Sequence, residues 1–270
     1  MGSAGESGGW FGEDLPLDRK GAWKKKNMRT WFKIDKLTLP AKPKISFCTT
    51  CMGRLHHLKE TLPRNIEDNK DYPDLEFVLL DYSSPDGMYD WVQNNFKPLL
   101  DSGRIRYYRV EGCTDFHMTH AKNIAHRLAC GDIVCNVDAD NFTGKGFAEF
   151  LETSFRKNHR RVVHGDWRLC KGSNGRLALL REYFLFIGGY NEKIKGWGYD
   201  DTDLIDRLRF FGLEDLVISN MDFLKTIQHD RDEAWTITQK RNMELSQSSL
   251  EKRKFRANRG ELSGRRSGID

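Results

Sequence analysis

The sequence has 270 residues, of which 38% are hydrophobic and 31% are charged, with a formal net charge of +5. This balance excludes an intrinsically disordered chain, because disorder goes with few apolar residues and a high net charge. No run of about 18 apolar residues is present, and the first 20 residues lack the basic-then-apolar order of a secretory signal. We therefore expect a globular protein of the cytoplasm.

Positive charge is concentrated near both ends, in residues 18–33 and 251–266. Such segments are usually solvated tails. The alternative is a peripheral position on an anionic membrane surface or on a nucleic acid, since Lys and Arg are attracted to phosphate groups. We divide the chain into a basic, aromatic arm (1–43), a central domain (44–230) and a C-terminal helix with a basic tail (231–270).

The first half of the central domain alternates between apolar runs and segments of helical periodicity. Strands are predicted over 44–50, 75–84, 104–110 and 132–137, and helices over 56–68, 85–100 and 119–129. This alternation predicts βαβ units and a mostly parallel sheet with helices on both faces. Polar residues at the strand ends should meet at one edge, where such sheets bind their ligands.

The second half is less regular. We predict a helix over 147–157, a strand over 161–166, a strand that enters a helix over 176–192, a helix over 200–212, and a polar helix after Asp230. Acidic residues in the first turn and a glycine at the end support the helix over 200–212.

Two carboxylates, Asp138 and Asp140, follow the apolar run that starts at Ile133. Their mutual repulsion would be relieved by Mg²⁺ or Mn²⁺, which prefer carboxylate ligands and often share them with substrate phosphates. Alone, this spacing is weak evidence, because turns are rich in aspartate and an ordinary turn would be the preferred interpretation. The preceding buried strand favours the metal site.

The segments KISFCTTCMGR, LEFVLLDYSSPDG and HAKNIAHRLACGDIVCNVDADN resemble, in this order, the nucleotide-sugar-binding half of GT-A glycosyltransferases of the family-2 type. The later GGYNEKIKGWGYDDTDLIDRL looks like the acceptor-side motif of the β-1,4-galactosyltransferase and polypeptide N-acetylgalactosaminyltransferase branch. The resemblance implies the α/β GT-A fold, with a Rossmann-like, mostly parallel central sheet flanked by helices, in a single domain with N- and C-terminal extensions. It also implies a nucleotide-sugar-binding half (44–142) and an acceptor-binding half (143–230).

The resemblance assigns donor-binding roles to six residues: Thr49, Thr50, Arg54, Asp81, Lys122 and Asp138. Hydroxyls and a guanidinium after the first strand suit a base, ribose or diphosphate. Asp81 matches the carboxylate that reads the nucleobase, and Lys122 matches a cation near the diphosphate or the donor sugar. The implied metal, Mn²⁺ or Mg²⁺, takes Asp138, Asp140 and, far downstream, His229 as ligands.

On the acceptor side, the resemblance implies contacts from Trp197, Gly198, Tyr199 and Asp200, and it makes Asp201 the general base. A carboxylate within reach of the acceptor hydroxyl can take its proton. The simpler interpretations are a core tryptophan and helix-capping aspartates. Asp200 stands where the family often has Glu, and Tyr199 where it often has Gly.

These observations predict a metal-dependent, inverting transferase that moves a sugar from a nucleotide sugar, expected to be a UDP-sugar, to a hydroxyl acceptor. The acceptor is expected to be a glycan, with modified DNA or a peptide as alternatives, and a retaining outcome stays open. A nucleotidyltransferase-like enzyme is a second hypothesis, which the GWGYDD motif disfavours. A binding module for nucleic acid or membrane surfaces, with a degenerate transferase core, is the third.

Overall fold

The computed structural model describes residues 38–228, 233–252, 254 and 256–258. The basic arm over 18–33, most of the basic tail and the predicted metal ligand His229 lie outside these residues. Within them, no helix is both long and apolar enough to cross a membrane.

Strands and α-helices alternate in the first part of the described chain, up to residue 164. The strands are β1 (Ile45–Cys51), β2 (Leu75–Tyr82), β3 (Ile105–Val110), β4 (Ile133–Asn136), β5 (Arg161–His164), β6 (Leu177–Leu180) and β7 (Glu214–Val217). The α-helices are α1 (Leu55–Asp68), α2 (Met88–Asp101), α3 (Met118–Leu128), α4 (Phe147–Lys157), α5 (Arg181–Ile187), α6 (Asp200–Phe210) and α7 (Glu233–Glu251).

All seven strands form one sheet in the order β3-β2-β1-β4-β6-β5-β7. The strands β3, β2, β1 and β4 pair with one another in parallel, as the βαβ alternation predicts. In the second half, β6 runs antiparallel to both β4 and β5, while β7 pairs with β5 in parallel. The predicted mostly parallel sheet flanked by helices is therefore confirmed.

The sheet core is formed by strands that are buried on both faces. Every residue of β1 and β2 is buried, including polar ones such as Ser46 and Glu76. Continuous apolar runs are typical of such strands, and this explains why the sequence predicts them well.

Two predictions differ from the structure. The helix predicted over 85–100 begins only at Met88, because Gly87 before it has a φ of +80°. Strand β7 was not predicted, since its residues Glu214–Val217 are mostly exposed and carry no apolar run. It forms by pairing with the buried β5.

Candidate active site

A hydrogen bond joins the ends of β1 and β4 at the edge of the sheet where ligands are predicted to bind. The hydroxyl of Thr49 donates a hydrogen bond of 2.8 Å to the carbonyl oxygen of Val137. Thr49 and Thr50 are both buried. Arg54, just before α1, is half-buried and its side chain is the more accessible of the three. The two threonines are therefore packed inside the protein at this edge of the sheet. Of Thr49, Thr50 and Arg54, the arginine is the most accessible to solvent.

Asp81, at the end of β2, is completely buried and both of its oxygens accept hydrogen bonds. The backbone N–H of Ser84 donates to Oδ1 at 2.6 Å, while the hydroxyl of Tyr107 donates to Oδ2. Arg109 lies 3.3 Å from Oδ2. Burial, followed by the hydrogen bond to Asp81, raises the pKa of Tyr107, so this hydroxyl stays a donor. Each oxygen of Asp81 therefore already has a hydrogen-bond donor within the protein.

The carboxylates of Asp138 and Asp140 lie just past β4 and are half-buried. The side chain of Asn136 donates to Asp138 at 2.9 Å. The side chain of Asn141 donates to Asp140 at 2.7 Å. Gly175 abuts Asp138, because a Cβ atom at residue 175 would lie 1.7 Å from Oδ2. The orientation of Asp138 therefore depends on the absence of a side chain at residue 175.

Lys122, on α3, connects these carboxylates to the start of α6. Its ammonium lies 2.7 Å from Asp200, 3.1 Å from Asp201 and 3.8 Å from Asp138, and its side chain is 1% exposed. Burial alone would lower the pKa of Lys122, but the charges of Asp200, Asp201 and Asp138 outweigh it and raise the pKa. Lys122 is therefore a buried counter-charge for these three carboxylates, and its predicted place near the diphosphate or the donor sugar stays a prediction.

Asp200 and Asp201 open helix α6 and differ in their exposure. The side chain of Asp200 is 4% exposed and that of Asp201 is 13% exposed. Burial, together with the neighbouring charge of Asp200, raises the pKa of Asp201 to about 8, although Lys122 opposes this shift. Asp201 is therefore the more accessible of the two and has the pKa of a group that can exchange protons near neutral pH.

The segment before α6 carries Trp197, whose side chain is 44% exposed. Tyr199 has a φ of +69°, in the left-handed region that favours glycine. This backbone conformation explains why the related motif often has Gly at this position. The exposed indole favours the sugar-binding interpretation of Trp197 over a core tryptophan.

Helix α7 holds this segment in place through the buried side chain of Asn242. Its amide nitrogen lies 3.1 Å from the carbonyl oxygen of Lys195, 3.4 Å from that of Trp197 and 3.0 Å from that of Gly198. On the next turn, the hydroxyl of Ser246 donates to Asp203 of α6 at 2.7 Å. The glycine-rich segment is thus fixed by a helix far along the chain.

Comparisons with known proteins agree with this architecture. Residues 161–230 match a family described as the N-terminal domain of galactosyltransferase. A mannosyltransferase from Pyrobaculum calidifontis, solved with GDP-Man and Mn²⁺, is similar in structure, with 18% identity and a TM-score of 0.65 over 84% of this chain and 70% of that chain. TarS from S. aureus, solved as residues 1–349 with UDP-GlcNAc, is similar with 14% identity and a TM-score of 0.56 over 77% and 66% of the two chains. Curated protein sequences give no match.

The chain has a GT-A glycosyltransferase fold. The galactosyltransferase match and the glycosyltransferase neighbours together support a glycosyltransferase. The matched residues of this GT-A fold run from β5 to beyond β7 and so include the GWGYDD segment. The present chain covers 58% of the length of TarS residues 1–349, as solved in complex with UDP.

Two groups of this GT-A site were not predicted from the sequence. Gly175 lies 37 residues from Asp138 in the sequence, and Asn242 lies 44 residues from Gly198. Neither stands in a segment in which the sequence shows a motif. Gly175 stands between two polar residues, and Asn242 belongs to a helix of polar sequence. Neither local sequence indicates a contact with residues so far away in the chain. Only the three-dimensional arrangement identifies them.

Replacing Asn242 with aspartate should weaken acceptor use. The variant keeps the size of the side chain but removes the amide N–H groups that donate to the carbonyl oxygens of the segment. The negative carboxylate then lies against these oxygens and repels them. We expect the KM for the acceptor to rise about tenfold, the change that corresponds to one lost hydrogen bond to a buried group, with the donor KM unchanged. Steady-state kinetics with each substrate varied in turn measures this. Lys240→Ala, on an exposed position of the same helix, is the control, and wild-type acceptor kinetics in Asn242→Asp would contradict the prediction.

Replacing Gly175 with alanine should displace Asp138. The new Cβ atom would come 1.7 Å from Oδ2, and the half-buried Asp138 can rotate towards solvent without unfolding the chain. A misplacement of about 1 Å costs roughly 10²-fold in rate, so kcat/KM for the donor should fall by about that factor. The measurement is a donor titration of Gly175→Ala, Asp138→Ala and the double variant. If the glycine acts through Asp138, the double variant is no worse than Asp138→Ala alone; additive losses would refute this.

Proposed function

We propose that the chain is an inverting glycosyltransferase that moves a sugar from a UDP-sugar to a hydroxyl group of a glycan, with the assistance of Mn²⁺ or Mg²⁺. The observation that carries the proposal is the cluster around Lys122, in which Asp138 from the end of β4 meets Asp200 and Asp201 from the start of α6. Donor-side and acceptor-side carboxylates of the predicted motifs thus share one buried cation. The neighbouring structures, solved with GDP-Man and Mn²⁺ or with UDP-GlcNAc, support a nucleotide-sugar donor.

The residues at the β4 exit fit a divalent cation. Within the described ranges there is no group of three metal-ligating side chains, so a cage made only of those residues is not the mode of binding. Mg²⁺ is commonly held by one or two carboxylates together with substrate phosphates and waters. The half-buried Asp138 and Asp140 fit that mode, and His229, outside the described residues, would be a third ligand. When bound, the ion would neutralise charge on the departing diphosphate.

Asp201 is the proposed general base. The acceptor oxygen forms a bond to the anomeric carbon while the bond from that carbon to the diphosphate oxygen breaks. The electron pair of the broken bond leaves with the nucleoside diphosphate, and the acceptor proton passes to the carboxylate of Asp201. A direct attack from the face opposite the leaving group inverts the anomeric configuration.

Lys122 has a positioning role in this proposal. Its side chain is 1% exposed, and its ammonium is hydrogen-bonded to both Asp200 and Asp201. Asp200 is the more buried partner and would serve to hold the lysine, which leaves Asp201 for the acceptor. Trp197, with an exposed indole, would offer a flat face to the sugar.

The experiment that tests the proposal is a panel of nucleotide sugars with Mn²⁺ and a mixture of simple glycosides as acceptors. We expect UDP formation together with a new glycoside, and NMR of the product should show the anomeric configuration opposite to that of the donor. A product that retains the configuration would refute inversion. Release of pyrophosphate instead of a nucleoside diphosphate would refute sugar transfer altogether.

A further inference from the structure

A cavity of about 240 Å³ lies between the loop that follows β5 and the outer side of α6; we call it the β5 pocket. His164, Trp167 and Asn174 line it from the loop side, and Thr202, Ile205 and Arg209 line it from α6. Its volume is below the roughly 300–1,000 Å³ of sites for drug-sized ligands. It therefore has room for one small ring rather than for an extended chain.

Two hydrogen-bond acceptors of the β5 pocket have no partner among the described residues: Nε2 of His164 and Oδ1 of Asn174. The Nδ1 atom of His164 lies 2.7 Å from the carbonyl oxygen of Gly165, which can only accept, so Nδ1 carries the proton and Nε2 of the neutral ring is an acceptor. His164 is 8% exposed. Buried acceptors without a donor are costly and call for an explanation. Both atoms have almost no accessible surface, so a ligand with two hydroxyl donors would satisfy them once the two side chains rotate towards the cavity.

The charges of the β5 pocket do not favour an anion. Arg168 forms hydrogen bonds to both carboxylate oxygens of Asp166, at 2.9 Å from its Nε. Arg209 forms ion pairs with Asp206 and Asp215. Each arginine is thus neutralised by a carboxylate of its own, so a phosphate, sulfate or uronate would gain little from binding here.

The side chain of Trp167 supplies the apolar surface of the β5 pocket. Its side chain is 61% exposed, compared with 44% for Trp197. A flat aromatic ring beside two hydrogen-bond acceptors suits a pyranose, which presents C–H groups on one face and hydroxyls around its edge. A purely apolar ligand would leave His164 and Asn174 unsatisfied.

The position of the β5 pocket links it to the chemistry. Thr202, on its wall, directly follows Asp201 in the first turn of α6. We propose that the β5 pocket binds a neutral hexose ring of the acceptor, next to the hydroxyl that Asp201 deprotonates. This inference rests on the proposed transferase function and specifies its acceptor as a neutral, hydroxyl-rich sugar.

Equilibrium binding tests the inference without a donor or a metal. The probes are the methyl α- and β-glycosides of glucose, galactose and mannose, with methyl β-glucuronide as the anionic comparison, observed by ligand-detected NMR. We expect at least one neutral hexoside to bind the wild-type chain and to bind Trp167→Ala about tenfold more weakly, since one decade corresponds to the loss of a single good contact. Leu169→Ala, 47% exposed on the same loop and not on the wall of the pocket, should bind like the wild type.

The hydrogen-bonding part of the inference has its own variants. Asn174→Ala removes the acceptor and should weaken hexoside binding, whereas Asn174→Asp keeps an acceptor oxygen and should restore it. The inference is overturned if no neutral hexoside binds, if the glucuronide binds in preference, or if Trp167→Ala and Asn174→Ala both bind like the wild type. Because these measurements need no nucleotide sugar, they fail or succeed separately from the transferase assay.

Discussion

Replacing Lys122 with methionine should lower the free energy of unfolding by about 3–5 kcal/mol near pH 8, the cost of leaving buried charge without its partner. The lysine is 1% exposed and forms ion pairs with Asp200 and Asp201, whose side chains are 4% and 13% exposed. Methionine fills a similar volume but supplies no charge. Urea unfolding followed by circular dichroism measures the loss.

The pH dependence of this loss identifies its cause. Without the ammonium, which holds the pKa of Asp201 down, the folded-state pKa of Asp201 should rise further above the unfolded value of about 3.9. Between these values the folded state binds more protons than the unfolded state, so the stability of Lys122→Met should fall as pH rises. Because the pKa of this carboxyl is already about 8 in the wild type, the deficit of Lys122→Met relative to the wild type should widen mainly as pH rises above 8.

Two further variants serve as controls. Lys97→Met removes an ion pair with Asp101 in which both side chains are more than half exposed, and exposed pairs contribute only about 0–1 kcal/mol. Adding Asp200→Asn and Asp201→Asn to Lys122→Met should recover much of the loss, because no buried charge then lacks a partner. A Lys122→Met protein as stable as the wild type at pH 8 would show that the lysine is not the counter-charge of this cluster.

Replacing Asp201 with asparagine should lower kcat by about 10²–10⁴-fold, the usual contribution of a general base. The substitution keeps the shape of the side chain, so the KM for the donor should change little. Asp206→Asn, on a half-buried position of the same helix, is the control and should keep wild-type kcat. If Asp201→Asn retains full activity while Asp200→Asn loses it, the base has been assigned to the wrong carboxylate.

The same base predicts a pH profile. Burial raises the pKa of Asp201 to about 8, and a general base must be deprotonated to act. The value of kcat/KM in the wild type should therefore rise with pH and reach half of its maximum near the pKa of this carboxylate. The residual activity of Asp201→Asn should not show this rise of kcat/KM with pH. A wild-type profile of kcat/KM that is flat from pH 6 to 9 would contradict the assignment of Asp201 as the base.

The sequence predicts the donor half of the fold well, because strands such as β1 and β2 are buried along their whole length and read as continuous apolar runs. It does not predict β7, whose polar residues pair with β5 only because the sheet already exists. Asp138 and Asp201, which belong to different motifs of the sequence, lie 3.8 and 3.1 Å from the ammonium of Lys122. The role of Lys122 was not predicted, since its partners lie 78 and 79 residues away.

Asp81 shows the same limitation. Its place at a strand end predicts a ligand contact, but the hydroxyl of Tyr107 and the backbone of Ser84 occupy its oxygens. A motif specifies where a side chain stands, whereas burial and hydrogen-bond partners depend on the neighbouring strand. The nucleobase contact of Asp81 and the ligand role of His229 remain predictions.

The most direct test of the account is thermal unfolding with UDP and Mn²⁺, added separately and together. A ligand that binds only the folded state stabilises it, by about 2.7 kcal/mol at one hundred times Kd. We predict that the wild type and Asp71→Ala, an exposed carboxylate variant, gain Tm only when both ligands are present, and that Asp140→Ala gains none. A metal-dependent shift of the same size in Asp140→Ala would show that the carboxylates at the end of β4 do not hold the cation.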